Sequence, residues 1–216
     1  MEITWYGHSC FRLAERGTAA VITDPFDYQA GGKGLQNLTA DIITISQGEP
    51  EQDYLDMVKG NPYVISGPGE YEVGGVFITG IHMGGQKGEE SAKRSHPYTM
   101  YAFDFDSMTV VHLGSLNRIP TQAEIEAIGT VNIAIVPVDE SRSLNAARAT
   151  EVISMLEPNI VIPIYDDPTG DNRSDSLTKF LKEMGMNEIT PQPLLKIARS
   201  SLPEETQVIV LEFPRG

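Results

Sequence analysis

The chain has 216 residues, enough for one domain with a sizeable hydrophobic core, and its 40% hydrophobic and 21% charged content is that of an ordinary folded protein. Its 16 basic and 30 acidic residues give a net charge of −14, which argues against nucleic acid and against an anionic membrane surface as partners. No apolar run approaches the roughly 20 residues that would cross a bilayer.

The first residues, MEITWYGHSC, begin a β-prone run at once and lack the basic-then-apolar layout of a signal peptide. A single cysteine, Cys10, excludes an internal disulfide. We therefore expect a cytoplasmic protein with a single domain over residues 1–216.

The first half of the chain is rich in short β-prone runs that end at glycine or at Asp24-Pro25. They predict strands over Glu2–Tyr6, Cys10–Leu13, Ala19–Thr23, 41–45, Tyr63–Ser66, Tyr71–Thr79, Tyr98–Phe105 and Thr109–Leu113. A short helix is expected within Pro50–Lys59. The polar, glycine-rich segment Gly84–Pro97 predicts a long loop, a feature that often serves as a lid or a binding loop.

The second half alternates between helical and strand patterns. Thr121 and Glu124 form a T-x-x-E capping box, which predicts a helix to Ile128. Apolar residues at helical spacing predict two further helices, over 149–156 and 177–184. Apolar runs predict strands over Asn132–Val136, Ile160–Ile164 and Thr206–Phe213. A strand-rich half followed by this alternation indicates two layers of sheet with helices outside.

The stretch from Ala40 to Asp53 contains the most informative change of pattern. A β-branched run ends at Ser46 and opens into a loop rich in carboxylates and carboxamides, and strand ends of this kind often carry the chemistry of α/β proteins. The stretch resembles the second signature of the metallo-β-lactamase fold, in which a strand ending in Thr or Ser runs into His-x-His-x-Asp-His. The four metal-binding positions of that signature fall on Gln47, Glu49, Glu51 and Gln52.

The resemblance extends over nearly the whole chain, and the branch that is most similar contains ascorbate-6-phosphate lactonase-like and other small Zn-dependent hydrolases. It rests on the segments ITWYGHSCFRL (Ile3–Leu13), ITDPF (Ile22–Phe26), VISGPGEYEVGGVFITGI (Val64–Ile81), HLGSLNRIPTQAEIEAIG (His112–Gly129) and IVIPIYDD (Ile160–Asp167). It implies an α+β fold, a four-layer αββα sandwich of the metallo-β-lactamase type.

The resemblance also implies where the remaining metal ligands would stand. The next histidine position falls within Ile81–Gln86, at Gly85, the bridging aspartate falls on Ser115, and the last histidine falls on Tyr165. Among the seven positions only Glu51 keeps a usable ligand type in its own place. Because amide, hydroxyl and phenol groups are poor ligands for Zn²⁺, we expect the binuclear site to be lost and no zinc to be bound.

Other side chains are candidates for the same region. His8 and Asp24 are expected to line the pocket, each with a structural role as the alternative, and so is Asp166. Period-two alternation places His8 and Cys10 on one strand face, although a lone strand cysteine is usually a small buried hydrophobe. Loop carboxylates could bind a hard cation or could simply be solvated, and they are Glu49, Glu51, Asp53, Asp166 and Asp167.

Three functions follow from these residues. The first is a non-catalytic pseudo-hydrolase that uses the old cleft to bind a small molecule or a protein and has no metal cofactor. The alternative is a hydrolase of unusual type, with Mg²⁺, Mn²⁺ or Ca²⁺ on Glu49, Glu51 and Asp166, acting on a phosphorylated or ester/lactone substrate. The third is a scaffold that functions through an oligomer interface.

Overall fold

The computed structural model describes residues 1–26, 38–48, 52–84, 98–105, 108–165, 174–187 and 189–212, apart from the side chains of residues 52 and 53. The described strands are β1 (Glu2–Gly7), β2 (Cys10–Ala14), β3 (Val21–Thr23), β4 (Ile42–Thr44), β5 (Tyr63–Ile65), β6 (Gly69–Val73), β7 (Val76–Met83), β8 (Tyr98–Asp104), β9 (Thr109–His112), β10 (Ile133–Pro137), β11 (Ile160–Ile164), β12 (Leu195–Lys196) and β13 (Gln207–Val208). The described helices are α1 (Gln52–Leu55), α2 (Gln122–Ile128), α3 (Ala146–Leu156) and α4 (Asp175–Glu183).

The strands form two mixed sheets. The first has the order β12-β1-β2-β3-β4-β5, and the second has the order β13-β11-β10-β9-β8-β7-β6. In the first sheet β3, β4 and β5 are parallel, whereas in the second the parallel strands are β9, β10, β11 and β13. The carboxyl ends of β3 and β4 therefore meet at one edge of the first sheet.

The two sheets pack face to face, and the first also has a second buried face. Alternate residues of its strands point to opposite sides: Val21 and Ile42 join the core between the sheets, and Ile22 and Ile43 join a smaller cluster. Leu55, from α1, packs against that smaller cluster. Helix α3 covers β10 and packs on α4, which completes helix, sheet, sheet and helix layers.

This architecture confirms the predicted α+β fold and the αββα sandwich. The capping box is present as predicted, since the Thr121 hydroxyl accepts from the Glu124 N–H and the Glu124 carboxylate accepts from the Thr121 N–H. The helix predicted within Pro50–Lys59 is described only over Gln52–Leu55. None of the described helices is long and apolar enough to span a membrane.

Two strand predictions are corrected by the structure. The run Tyr71–Thr79 is not one strand, because Gly74 and Gly75, both with positive φ, turn the chain into a hairpin between β6 and β7. Within the described part of the predicted strand Thr206–Phe213, regular pairing is confined to Gln207–Val208, and Leu211 makes an isolated bridge with Gln192. The loop predicted for Gly84–Pro97 lies outside the described residues after Gly84.

Candidate functional site

A cleft of about 330 Å³ opens where β3 and β4 end. It is lined by residues of the β1–β2 turn, of the segments after β3 and β4, of α1 and of the segment after β9: His8, Ser9, Asp24, Pro25, Phe26, Ile45, Ser46, Gln47, Tyr54 and Ser115. Its volume is at the lower end of the range for small-molecule sites.

Asp24 and Ser46 join the ends of the two strands at the floor of the cleft. The Ser46 N–H donates to Asp24 Oδ1 at 2.6 Å, and the Ser46 hydroxyl donates to Asp24 Oδ2 at 2.7 Å. The Asp24 N–H donates in turn to the Thr44 carbonyl at 2.8 Å. Asp24 adopts a φ of 40°, a left-handed conformation that Asp tolerates better than most residues. This network fixes the backbone from which Gln47 enters the cleft.

His112 lies behind this floor, fully buried at the end of β9. Its Nδ1 is 3.9 Å from Asp24 Oδ2, and its Nε2 is 3.5 Å from the Thr23 hydroxyl. Burial lowers the pKa of His112 to about 4, and an interaction with the Ser9 backbone opposes this shift. The imidazole is therefore neutral near pH 7, so its contact with Asp24 is not an ion pair there. Nδ1 has no hydrogen-bond partner among the described residues.

Burial also changes the chemistry of the Asp24 carboxyl group. It raises the pKa of Asp24 to about 6, and the two hydrogen bonds from Ser46 oppose the shift. Asp24 is thus ionised near neutral pH and takes up a proton in mildly acidic solution. Perturbed carboxyl groups of this kind occur often at functional sites, although structural networks produce them too.

Strand β8 of the second sheet holds both segments that form the polar side of the cleft. The Thr99 N–H donates to the Ser46 carbonyl at 2.7 Å, and Tyr98 forms an antiparallel bridge with Gln47. The Tyr98 hydroxyl donates to the Leu113 carbonyl at 2.5 Å. Burial raises the pKa of the Tyr98 phenol, which therefore stays protonated and able to donate.

Gln47 and Ser115 meet in the cleft although 68 residues separate them. The Ser115 hydroxyl donates to Gln47 Oε1 at 2.9 Å. This approach requires glycine at position 114, where φ is 52° and a Cβ atom would lie 2.9 Å from Ser46 Oγ. Two of the positions that the resemblance assigns to the metal site are thus adjacent.

The other sequence-predicted site residues divide into three groups. His8 and Asp24 line the cleft, as Gln47 and Ser115 do. Tyr165 does not line it: its ring packs 4.8 Å from that of Trp5 in the core, and its hydroxyl donates to the Leu211 carbonyl at 3.1 Å. The remaining candidates lie outside the described residues or, at position 52, have an undescribed side chain: Glu49, Glu51, Gln52, Gly85 and Asp166.

The aromatic wall of the cleft was not predicted from the sequence. Phe26 and Tyr54 line the cleft, and the His8 ring meets the Phe26 ring edge to face with centroids 4.8 Å apart. The sequence carried a weak signal for Tyr54, which shares a helix face with Leu55 and Val58. No local pattern marked Phe26, because the direction in which the chain continues after Asp24-Pro25 depends on the fold.

The described side chains do not fit zinc. Zinc is bound by imidazole, thiolate and carboxylate groups, and the described lining offers one imidazole, that of His8, and one carboxylate, that of Asp24. The described residues contain no group of three or more His, Cys, Asp or Glu side chains placed to hold a metal ion. The cleft instead presents oxygen atoms from Asp24, Gln47 and Ser115, the donor class that hard divalent cations take.

A second depression, about 430 Å³, lies beside β1, β2 and β12 and holds none of the predicted site residues. Two ion pairs lie there, since the Met1 ammonium contacts Glu15 at 2.5 Å and Lys196 contacts Glu2 at 3.3 Å. It offers no arrangement of reactive groups, and the cleft after β3 and β4 remains the candidate site.

The sequence of the chain matches a known protein family. A family model described as a beta-lactamase superfamily domain matches residues 2–165. A UPF0173 metal-dependent hydrolase of Chelativorans sp. is 26% identical over 229 residues, which cover 89% of this chain and 97% of that protein. A UPF0173 protein of Pyrococcus furiosus is 26% identical over 189 residues, which cover 76% of this chain and 83% of that protein.

A solved structure from Thermotoga maritima agrees with this assignment. That protein is a candidate Zn-dependent hydrolase of the metallo-beta-lactamase superfamily, 30% identical in sequence, with a TM-score of 0.77 and 98% of each chain covered. The prediction that this chain has no metal cofactor is therefore wrong, because relatives in its family are named metal-dependent hydrolases. That prediction equated the loss of histidines with the loss of metal, whereas oxygen ligands suffice for hard cations. The chain belongs to the beta-lactamase superfamily domain family and has the metallo-β-lactamase fold.

Proposed function

We propose that the protein is a metal-dependent hydrolase whose cleft works with a hard divalent cation, Mg²⁺, Mn²⁺ or Ca²⁺, on a phosphorylated or ester/lactone substrate. The observation that carries the proposal is the cleft itself: Gln47 and Ser115 come together 2.9 Å apart beside the Asp24–Ser46 network. Family membership supports it, since relatives are named metal-dependent hydrolases.

The ligands proposed for the cation are oxygen atoms. Gln47 Oε1 and the Ser115 hydroxyl are described in the cleft, and the sequence adds the carboxylates of Glu49, Glu51 and Asp166. A cation bound by such groups would supply Lewis-acid polarisation of a substrate oxygen. Carboxylates are needed in the set because neutral oxygens alone compensate little of a double positive charge.

The chain's own residues have separate roles in this proposal. Asp24 holds Ser46 through two hydrogen bonds and so fixes the backbone position of Gln47. Gln47 Oε1 and the Ser115 hydroxyl are assigned to the cation, the Gln47 N–H groups orient the polar part of the substrate, and Phe26 and Tyr54 provide apolar wall. A pre-positioned polar set of this kind accelerates hydrolysis by fixing the substrate before it reacts.

Metal titration of the intact protein tests the proposal. A cation that binds only the folded state stabilises it by about 2.7 kcal/mol at 100 times its Kd, which raises Tm by roughly 5–10 °C in a chain of this size. We expect that shift with Mg²⁺ or Mn²⁺, together with cation-dependent hydrolysis of p-nitrophenyl acetate or p-nitrophenyl phosphate.

Matched variants locate the cation. Glu49→Gln, Glu51→Gln and Asp166→Asn should each reduce the shift and the hydrolysis, whereas Glu126→Gln, an exposed carboxylate on α2, should leave both unchanged. Equal shifts in all four variants, or the absence of hydrolysis of both esters with every cation, would reject the proposal.

A second candidate function is the binding of a ligand in the cleft without its hydrolysis. The observation in its favour is that the Ser115 hydroxyl donates to the Gln47 carboxamide oxygen, so that two positions which the resemblance assigns to metal ligands bond to each other. In this case a small molecule should stabilise the protein, and neither ester should be turned over at any cation concentration.

A further inference from the structure

Strand β6 pairs with β7 and is the last strand of the second sheet in the described part of the chain. Glu70 and Glu72, within this strand, are both exposed. We propose that this edge is a docking site for a partner protein, which adds an extended segment with the pattern basic–apolar–basic as a further strand. The residues of β6 do not line the cleft, so the proposal does not depend on the hydrolase function.

The hairpin determines which backbone groups of β6 point outward. The two-residue turn Gly74-Gly75 makes the residues that flank it a hydrogen-bonded pair, and such pairs recur at every second residue along the two strands. Glu70 and Glu72 occupy the alternate positions, so their backbone N–H and C=O groups point away from β7. Groups of this kind at a sheet edge can pair with a strand of another chain.

The side chains beside this edge combine negative charge with aromatic surface. Glu72 lies directly opposite Phe77 of β7, and Phe77 lies directly opposite Asp104 of β8, so the three side chains share one face of the sheet. Phe77 is 55% exposed. An exposed aromatic ring with a carboxylate on either side suits a cationic group, which both the ring face and the carboxylates attract.

A strand added to β6 would place alternate side chains on the face that carries Glu70 and Glu72. Lys or Arg is favoured directly opposite each glutamate, because cross-strand pairs of opposite charge stabilise a sheet. Neighbouring strands are about 4.8 Å apart, so a long basic side chain opposite Glu72 can extend over it toward the Phe77 ring and gain a cation–π contact. The residue between the two basic ones faces the side of the partly buried Tyr71, where an apolar side chain fits.

A second copy of this chain is a poorer occupant of the same edge. Antiparallel pairing of two β6 strands about Tyr71 would place Glu70 of each copy opposite Glu72 of the other, and like charges directly opposite each other destabilise a sheet. Each copy also has a net charge of −14, which adds a repulsion at longer range. The two carboxylates that oppose self-association are thus the ones that favour a basic partner.

Peptide binding to the intact protein tests the proposal. The probe is the acetylated and amidated heptapeptide TVKVKVT, and its isomer TVVKKVT has the same charge but places the two lysines on opposite faces of a strand. We expect the alternating peptide to bind roughly tenfold more tightly than the isomer and to shift the backbone amide NMR signals of Glu70 and Glu72. No binding of the alternating peptide up to about 1 mM, equal binding of the two peptides, or shifts confined to other residues would overturn the proposal.

Matched double variants separate the edge from the overall charge. Glu70→Gln/Glu72→Gln removes both carboxylates and should weaken binding of the alternating peptide by roughly fivefold or more. Glu151→Gln/Glu183→Gln makes the same change in net charge at exposed positions on α3 and α4 and should weaken it by less than about twofold. Equal weakening in the two variants would mean that net charge alone attracts the peptide, and the proposal fails.

Two single variants test the backbone pairing and the aromatic contact. Glu72→Pro removes an outward N–H that β7 does not use, so the protein should stay folded while binding falls further than in Glu72→Gln. Phe77→Leu keeps an apolar side chain without the ring and should weaken binding roughly threefold. Affinity that neither Glu72→Pro nor Phe77→Leu changes would contradict the proposed pairing. A dimer in sedimentation that Glu72→Pro converts to a monomer would show that a second copy occupies the edge, against the proposal.

Discussion

Asp24 and His112 are buried within 3.9 Å of each other, and their pKa values move in opposite directions. Burial raises that of Asp24 to about 6 and lowers that of His112 to about 4. From about pH 4 to 6 the folded state keeps a proton on Asp24 that the unfolded chain releases, so this contribution to stability falls as pH rises. The contribution of His112 to stability rises with pH up to about pH 6.5, because the unfolded chain binds a proton there that the folded state does not bind.

Because Asp24 and His112 contribute to stability with opposite pH dependence, replacing one or the other should change the pH profile of the free energy of unfolding in opposite directions. Asparagine is chosen at position 24 because it also tolerates a positive φ. In Asp24→Asn only His112 of the pair still titrates, so the free energy of unfolding of the variant should rise from pH 5 to 6.5 relative to that of wild type. His112→Gln should show a fall over the same range. Each difference should approach about 1.4 kcal/mol per pH unit at its steepest.

Urea unfolding at several pH values measures these profiles. The double variant serves as the control, because with both groups replaced the profile should again run parallel to that of wild type. If both single variants already run parallel to wild type, the two groups do not titrate in opposite senses on folding.

At the scale of secondary-structure elements, Tyr101 connects the two sheets near the cleft. It belongs to β8, and its hydroxyl accepts from the Gly67 N–H at 2.9 Å and donates to the Ile45 carbonyl at 3.0 Å. Ile45 immediately precedes Ser46 and Gln47. The hydroxyl therefore links β8 to the end of β4 and to the segment after β5 by hydrogen bonds.

Removal of this hydroxyl predicts a measurable loss of stability. Tyr101→Phe leaves a buried carbonyl and an N–H without their partner and should lower the free energy of unfolding by about 1–3 kcal/mol. Tyr71→Phe is the matched control, because its hydroxyl makes two long contacts of 3.3 Å near the surface and should cost less than about 0.5 kcal/mol. Equal losses of unfolding free energy in the two variants, measured by urea unfolding, would show that the hydrogen bonds of the Tyr101 hydroxyl add no stability beyond that of a surface hydroxyl.

At the scale of the whole molecule, the charge of −14 affects the stability of the folded state. Self-repulsion in the compact state exceeds that in the expanded chain, and salt screens it over about 10 Å at 0.1 M. We expect Tm to rise by a few degrees when NaCl is raised from about 10 to 200 mM at pH 7.5. A fall in Tm over that range would mean that favourable ion pairs such as Arg118–Glu124 outweigh the repulsion.

The sequence predicted those parts of the fold that depend on local pattern. The buried run Ile160–Ile164 and the Thr121 capping box are of this kind, since each is set by a few neighbouring residues. Leu195–Lys196 pairs with residues almost 200 positions away and has no local signature.

The site was predicted less completely, for a related reason. Gln47 and Ser115 were located through the resemblance to the metallo-β-lactamase fold, but the direction of a side chain depends on strand register, and a slip of one residue reverses it. Tyr165 illustrates this: its position follows a predicted strand, yet its ring enters the core beside Trp5.

The pairing of β1 with β12 has a consequence for how the protein is made. Glu2 and Ile3 pair with Lys196 and Leu195, and Met1 exchanges backbone hydrogen bonds with Ile197. Contacts this distant in sequence raise the contact order, which slows folding. The edge of the first sheet beside β1 therefore stays unpaired until residues 195 and 196 have left the ribosome.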